Sequence, residues 1–177
     1  GETSSFRSNP LRLAEFALSR KDPLYVGASK CVRDGDNSDI KSVLSDLNFD
    51  FNDTTISSCI FAVKPGDGSA REQAASCQRF LGGGANIARE YATKRYRSNL
   101  INWGMLPLID CKTEYKKGDI VVIENIRDTL LQGKSEFNAY LVRGGKTESI
   151  VLKIGALTDS EKQIILDGCL INYYKRG

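Results

Sequence analysis

TISSCIFAVKPGDGSAREQAASCQRFLGGG, residues 55–84, is the stretch on which the fold turns. Its first part, Thr55–Val63, is β-branched and apolar with partial alternation, which predicts a buried strand. Lys64-Pro65-Gly66-Asp67-Gly68 breaks it. A helix is then expected from about Ala70 to Leu81, with Ala74, Cys77, Gln78 and Leu81 along one stripe, closed by Gly82-Gly83-Gly84. A strand, a short glycine-containing loop and a helix in that order make one unit of an α/β domain.

Outward from this unit, the first fifty residues read as helices and loops. Asn9-Pro10 forms an N-cap and N1 pair before Leu11–Leu18, and Asp22-Pro23 ends that run. Ser38 is expected to cap a second helix carrying Ile40, Val43, Leu44 and Leu47. The intervening Arg33–Asp39 looks superficially like a calcium loop. Counted from Asp34 it has Asp39 at the sixth position and Ser45 at the twelfth, where Gly and Glu are required, so it reads as a solvated turn. On the other side, residues 85–103 fit either a short strand followed by a helix or one helix ending at Gly104. Ile120–Ile123 reads as a strand. Ala139–Val142 and Ser149–Ile154 make a hairpin about Arg143-Gly144-Gly145-Lys146. Thr158-Asp159-Ser160-Glu161 opens the last helix as a capping box. The expectation is one mixed α/β domain over residues 1–177, with a helical portion at 1–54 and a core at 55–177.

Composition narrows the chemistry. The 177 residues carry 25 Lys+Arg against 22 Asp+Glu, a net +3, too balanced to argue for nucleic acid. There is no histidine, which excludes a Ser–His or Cys–His dyad and any His-bearing zinc site within the chain. The five cysteines at 31, 59, 77, 111 and 169 include no CxxC pair, so no metal ligand is assigned. Scattered, odd-numbered thiols fit a reducing compartment, and the cytoplasm is expected. No apolar run approaches the ~20 residues needed to cross a membrane. The chain starts with Gly1 rather than Met, from which a piece of a longer protein is expected.

The junction before the helix is the place for chemistry. Ser69 lies where free backbone N–H groups and the helix dipole favour negative charge, and Arg71 adds a permanent cation shaped for a carboxylate. The competing reading is structural, since Ser69-Ala70-Arg71-Glu72 fits an S-x-x-E capping box. Gly66–Ser69 is no P-loop, because it lacks the Gly-Lys-[Ser/Thr] ending. Lys94-Arg95-Tyr96-Arg97 interleaves cations with an aromatic and reads as a solvated face or, alternatively, a nucleic-acid contact. Trp103, Tyr173 and Tyr174 are assigned to packing, and Cys59 and Cys77 to buried elements.

Gly68-Ser69-Ala70-Arg71-Glu72-Gln73-Ala74-Ala75, then Tyr96-Arg97-Ser98-Asn99-Leu100 and Gly104-Met105-Leu106-Pro107-Leu108, resemble the C-terminal swivel domain of the aconitase superfamily. The likeness is specific over Gly66–Leu108, weaker to Gly177 and vague over Gly1–Ile56. The opening Gly1–Leu11 looks like the bacterial-type aconitate hydratase branch.

The resemblance implies a swivelling β/β/α domain of an iron–sulfur hydro-lyase that moves water across a double bond in a tri- or dicarboxylate such as citrate or isocitrate. It implies Ser69 as an alkoxide base, Arg71 as its stabiliser and a carboxylate contact, and Arg7 as a second carboxylate-binding arginine. The family's second serine is Ala70 here, which leaves a backbone N–H but no hydroxyl in the substrate pocket. It implies a [4Fe–4S] cluster bound by other domains, so the isolated chain is expected to fold and be inactive without N-terminal cluster domains or a large subunit. Three alternatives stand beside it. They are a free-standing small subunit of isopropylmalate dehydratase, a non-catalytic RNA- or ligand-binding module using Lys94, Arg95 and Arg97, and a scaffold in which Ser69 only caps.

Overall fold

The computed structural model describes residues 8–176. Three helices come first: α1 (Pro10–Ser19), α2 (Pro23–Asp34) and α3 (Ser38–Asp46). Asn9 caps α1 as expected, its side chain accepting from the Arg12 N–H at 3.1 Å. Asp22-Pro23 does more than stop α1. The Asp22 carboxylate accepts from the Leu24 and Tyr25 N–H groups, and Pro23 fills the first helical position of α2. Asp34 therefore belongs to α2, paired with Arg33, and the supposed turn shrinks to Gly35–Asn37. Ser38 is the first residue of α3 rather than its cap; Asn37 holds the cap position in a left-handed conformation without a side-chain bond.

The remaining elements are β1 (Ser58–Ala62), α4 (Arg71–Phe80), β2 (Gly83–Ala88), α5 (Lys94–Asn102), β3 (Leu106–Ile109), β4 (Ile120–Ile123), α6 (Ile126–Leu131), β5 (Glu136–Arg143), β6 (Lys146–Ile154), α7 (Asp159–Leu166) and α8 (Leu170–Lys175). The strands form one mixed sheet in the order β1-β2-β3-β6-β5-β4. β1, β2 and β3 run parallel through the α4 and α5 crossovers, and the other three add antiparallel. Residues 85–103 thus resolve as a strand and then a helix. β2, parallel and central, is buried along nearly its whole length, whereas β6 alternates along its second half, as one-sided antiparallel strands do. The β5–β6 hairpin closes at Gly144 and Gly145, both at positive φ (54° and 76°), the geometry that suits the right-handed twist of the strands.

The register lines up Phe61, Ile87, Leu108, Ile154, Leu152 and Phe137 on one face of the sheet. This face packs with Leu130 of α6 and Ile164 and Ile165 of α7 into the main core. α4 and α5 pack together around Ala75, Tyr96, Leu100 and Met105, and α1 closes on α4 through Ala14, Cys77 and Leu81. The Thr158–Glu161 capping box is present in both directions. β1 differs from expectation. It is an edge strand, only partly covered, and Cys59 is exposed on it. Cys77 is buried as anticipated, and burial pushes its thiol up to about 11. Tyr173 packs on the core while Tyr174 is exposed.

Asp119, just before β4, is latched to Arg143 at the end of β5. Nε and Nη2 donate to its two carboxylate oxygens at 2.7 and 2.6 Å, and the Lys116 N–H adds a third bond. The Arg143 hydrogen bonds hold the Asp119 carboxyl below its ordinary value. A depressed pKa contributes stability above the unfolded-state value of about 3.9 and loses it as pH falls through the folded value. Asp119→Asn should therefore lower unfolding free energy at pH 7 by about 1–3 kcal/mol, the cost of hydrogen bonds to a charged group. Urea titrations should show the gap narrowing below about pH 4.

Candidate active site

Parallel β1, β2 and β3 bring their carboxyl ends to one edge of the sheet, where open α/β sheets bind ligands. The loop 63–70 leaves β1 at that edge and is laced to the segment leaving β2. Glu90 N–H donates to Val63 O at 3.2 Å, and Ala92 N–H to Pro65 O at 2.9 Å. An exposed Lys64–Glu90 ion pair bridges the same segments. Thr93 caps α5, its Oγ1 accepting from the Tyr96 N–H at 3.2 Å, and the same hydroxyl donates to Gly66 O at 2.9 Å. The cap of one helix is therefore also the anchor of the loop before another.

Gly66 has φ +99°, and a Cβ there would stand 2.5 Å from Cβ of Tyr96. Tyr96 is buried, and its hydroxyl accepts from Gln78 Nε2 at 3.1 Å and Asn86 Nδ2 at 2.9 Å. Burial pushes its phenol up, so it stays protonated. Above this floor Asp67, Gly68, Ser69 and Ala70 are all exposed.

α4 starts one residue later than a capping box at Ser69 requires. Ala70 holds the cap position, and no side chain of the local sequence caps the helix. The Glu72 carboxylate turns away and accepts from Trp103 Nε1 at 3.1 Å. Among the described residues the Ser69 hydroxyl makes no hydrogen bond, and the Arg71 and Gln73 N–H groups have no partner. The capping-box reading is thereby corrected. Arg71 is half-buried, and its Nε is shielded from solvent without a hydrogen-bond partner. The structure thus gathers Ser69, Ala70 and Arg71 at one helix terminus. Arg7 lies outside the described residues.

The basic run on α5 is no interleaved surface. Arg97 is spent internally, donating to Ala156 O at 2.7 Å and Gly155 O at 3.2 Å and pairing with Glu161, while Tyr96 is buried. Trp103 combines its bond to Glu72 with an edge contact on Phe80. Asn99 enters the sequence reading only as part of the Tyr96–Leu100 segment, with no role of its own. With its amide turned so that both ends are satisfied, Oδ1 accepts from the Glu72 N–H at 2.8 Å and Nδ2 donates to Arg95 O at 3.1 Å. The signal for its role is position, on the face of α5 that carries Tyr96 and leads to Trp103 at the C-cap. Among the described residues no group of three His, Cys, Asp or Glu side chains is placed to hold a metal, and no helix is long and apolar enough to cross a membrane.

Comparison with known proteins bears on this site. The chain is 33% identical over 111 residues to the methanogen homoaconitase small subunit of Methanocaldococcus jannaschii, covering 63% of this chain and 57% of that protein. It is 31% identical over 112 residues to a protein of Emericella nidulans named "Putative aconitate hydratase, mitochondrial", covering 60% of this chain and 14% of that one. A crystal structure of a 3-isopropylmalate dehydratase from Methanocaldococcus jannaschii aligns with a TM-score of 0.46 and 29% identity, over 67% of this chain and 63% of that one. The chain therefore spans little more than half of the first relative and about a seventh of the second. The model of the aconitase C-terminal domain matches residues 20–114, from α2 through the site to the loop after β3. The match reaches further toward the N-terminus than the sequence motifs suggest and stops before β4. Since it takes in more than half of the sequence, the chain belongs to the aconitase C-terminal domain family.

Proposed function

We propose that residues 1–177 act as the C-terminal domain of a hydro-lyase for tri- or dicarboxylates such as citrate or isocitrate, with the helical 1–54 portion bracing the 55–177 core. The observation that carries this reading is the open terminus of α4, where the unbonded Ser69 hydroxyl, unfilled N–H groups and Arg71 sit together. Ser69 Oγ, as an alkoxide, takes the proton from the carbon next to a substrate carboxylate, and the hydroxyl on the neighbouring carbon leaves as the double bond forms. Arg71 holds a carboxylate with its planar fork and offsets the alkoxide charge. Arg7 is assigned a second carboxylate. Ala70 offers only its backbone N–H, which leaves the pocket one hydroxyl poorer than the family pattern.

A helix terminus at an exposed surface is worth only about 0.3–1 kcal/mol to a negative charge, far too little to make a serine basic at neutral pH. Ser69 is exposed in this chain. The site must therefore be covered by another domain or subunit that excludes water and strengthens the same dipoles. A [4Fe–4S] cluster, supplying a Lewis acid for the departing hydroxyl, belongs on that partner. The described residues here do not fit one. Similarity to a small subunit favours a separate large-subunit partner, and the isopropylmalate dehydratase reading stays open on the same ground. The unpaired thiols suit a reducing compartment such as the cytoplasm.

The test is anaerobic reconstitution of the complete enzyme containing this chain, assayed against citrate, cis-aconitate, isocitrate and isopropylmalate. Turnover of at least one is expected, and none by the 177-residue chain alone. A cluster-loaded enzyme inert toward all four, or an active isolated chain, would overturn the proposal.

A further inference from the structure

Tyr96 and Asn99 of α5 and Trp103 at its C-cap are spaced i, i+3 and i+7 and share the face turned to α4. Each reaches across: Tyr96 to Gln78, Trp103 to the Glu72 carboxylate, and Asn99 to the Glu72 N–H. The Asn99 contact has a consequence for Ser69. In a capping box the serine at the cap binds the N–H of the third helical residue, which for Ser69 is Glu72. Asn99 Oδ1 already occupies that N–H, at 2.8 Å. A helix N–H offers one proton, so the serine and the asparagine compete for it.

We infer that Asn99 is a positioning residue that caps α4 in place of Ser69 and so keeps the Ser69 hydroxyl unbonded for chemistry. Its catalytic consequence rests on the proposed function, while the cap exchange itself does not. The anchoring of Asn99 Nδ2 on Arg95 O fixes the amide so that its oxygen points at α4. Trp103 draws the Glu72 carboxylate aside, which removes the other half of the local capping box.

The experiment pairs Ser69→Ala with Asn99→Leu and reads amide hydrogen exchange at Glu72 in the intact protein, alongside kcat and KM. In the wild-type background Ser69→Ala should leave Glu72 exchange unchanged. In Asn99→Leu the serine takes over the N–H, so adding Ser69→Ala should speed exchange about 5- to 10-fold, the equivalent of losing a cap. Asn99→Leu should lower kcat about 10-fold or more with KM nearly constant, because the base is tied up while the carboxylate contacts persist. Asn99→Asp loses the donation to Arg95 O but keeps an acceptor for the Glu72 N–H, so its Glu72 exchange should stay independent of Ser69, which guards against a simple failure to fold. Glu72 exchange that ignores Ser69 in both backgrounds would overturn the inference. Should Ser69→Ala leave turnover intact while the exchange pattern holds, the function falls and the cap exchange stands. Should Ser69→Ala abolish turnover and the pattern fail, the reverse holds.

Discussion

Ser69→Ala should cut turnover of the assembled enzyme by about 10²–10⁴-fold, the usual worth of a positioned proton-transfer group. The same substitution should leave stability within about 0.5 kcal/mol of wild type. Both halves follow from one geometry. The hydroxyl is exposed and bonded to nothing among the described residues, and the cap position belongs to Ala70. Removing it strips no hydrogen bond from the folded state. A serine that only capped would give the opposite pattern, a loss of about 1 kcal/mol with turnover intact. Thermal or urea unfolding and steady-state kinetics on the same preparation separate the two. Reduced stability with unchanged kinetics would sink the catalytic assignment.

What was legible in the sequence was local. Asn9-Pro10, the Thr158–Glu161 capping box, the Ile120–Ile123 strand and the Gly144-Gly145 hairpin each depend on neighbours within a few residues, and each stands in the structure. What was illegible depended on partners far along the chain. β1 has the composition of a buried strand, but its edge position follows from sheet order, which no single strand encodes, so Cys59 is exposed. Asp22-Pro23 carries a stop signal and a start signal in the same two residues, and only the second helix shows that both are used. The basic run at 94–97 reads as a surface until Arg97 is seen clamping the β6–α7 connection.

The site divides in the same way. Ser69, Ala70 and Arg71 are contiguous, and the strand–loop–helix pattern puts them at a helix start by itself. The S-x-x-E spacing then misleads, because the acceptor that caps α4 lies on Asn99, 27 residues beyond Glu72 in sequence. A local motif fails when a distant residue satisfies the same N–H first. Gly66 belongs to this class too, since its need for a missing side chain is set by Tyr96 on another helix.

Gly66→Ala should be the most damaging single change near the site, costing roughly 2–4 kcal/mol from backbone strain and steric overlap together. At φ +99° an L-residue is already strained. The new Cβ would also meet Cβ, Cγ and Cδ1 of Tyr96 at 2.5, 2.7 and 2.8 Å. That ring cannot swing aside cheaply. It is buried at 3% exposure, and its hydroxyl is held by Gln78 and Asn86. The loop must move instead, which breaks the bond from Thr93 Oγ1 to Gly66 O and shifts Ser69 against whatever covers it. A fall in Tm of roughly 5–15 °C is expected for a chain of this size, with activity lost even where the protein remains folded. Gly68→Ala is the control, because its Cβ would meet nothing within 4 Å and its φ is not positive. Its stability should stay within about 0.5 kcal/mol of wild type. Equal destabilisation by the two substitutions would mean that the Gly66–Tyr96 contact does not set the loop. Divergence of the expected size would place the limit on this loop in Tyr96, a buried residue of α5 outside the loop itself.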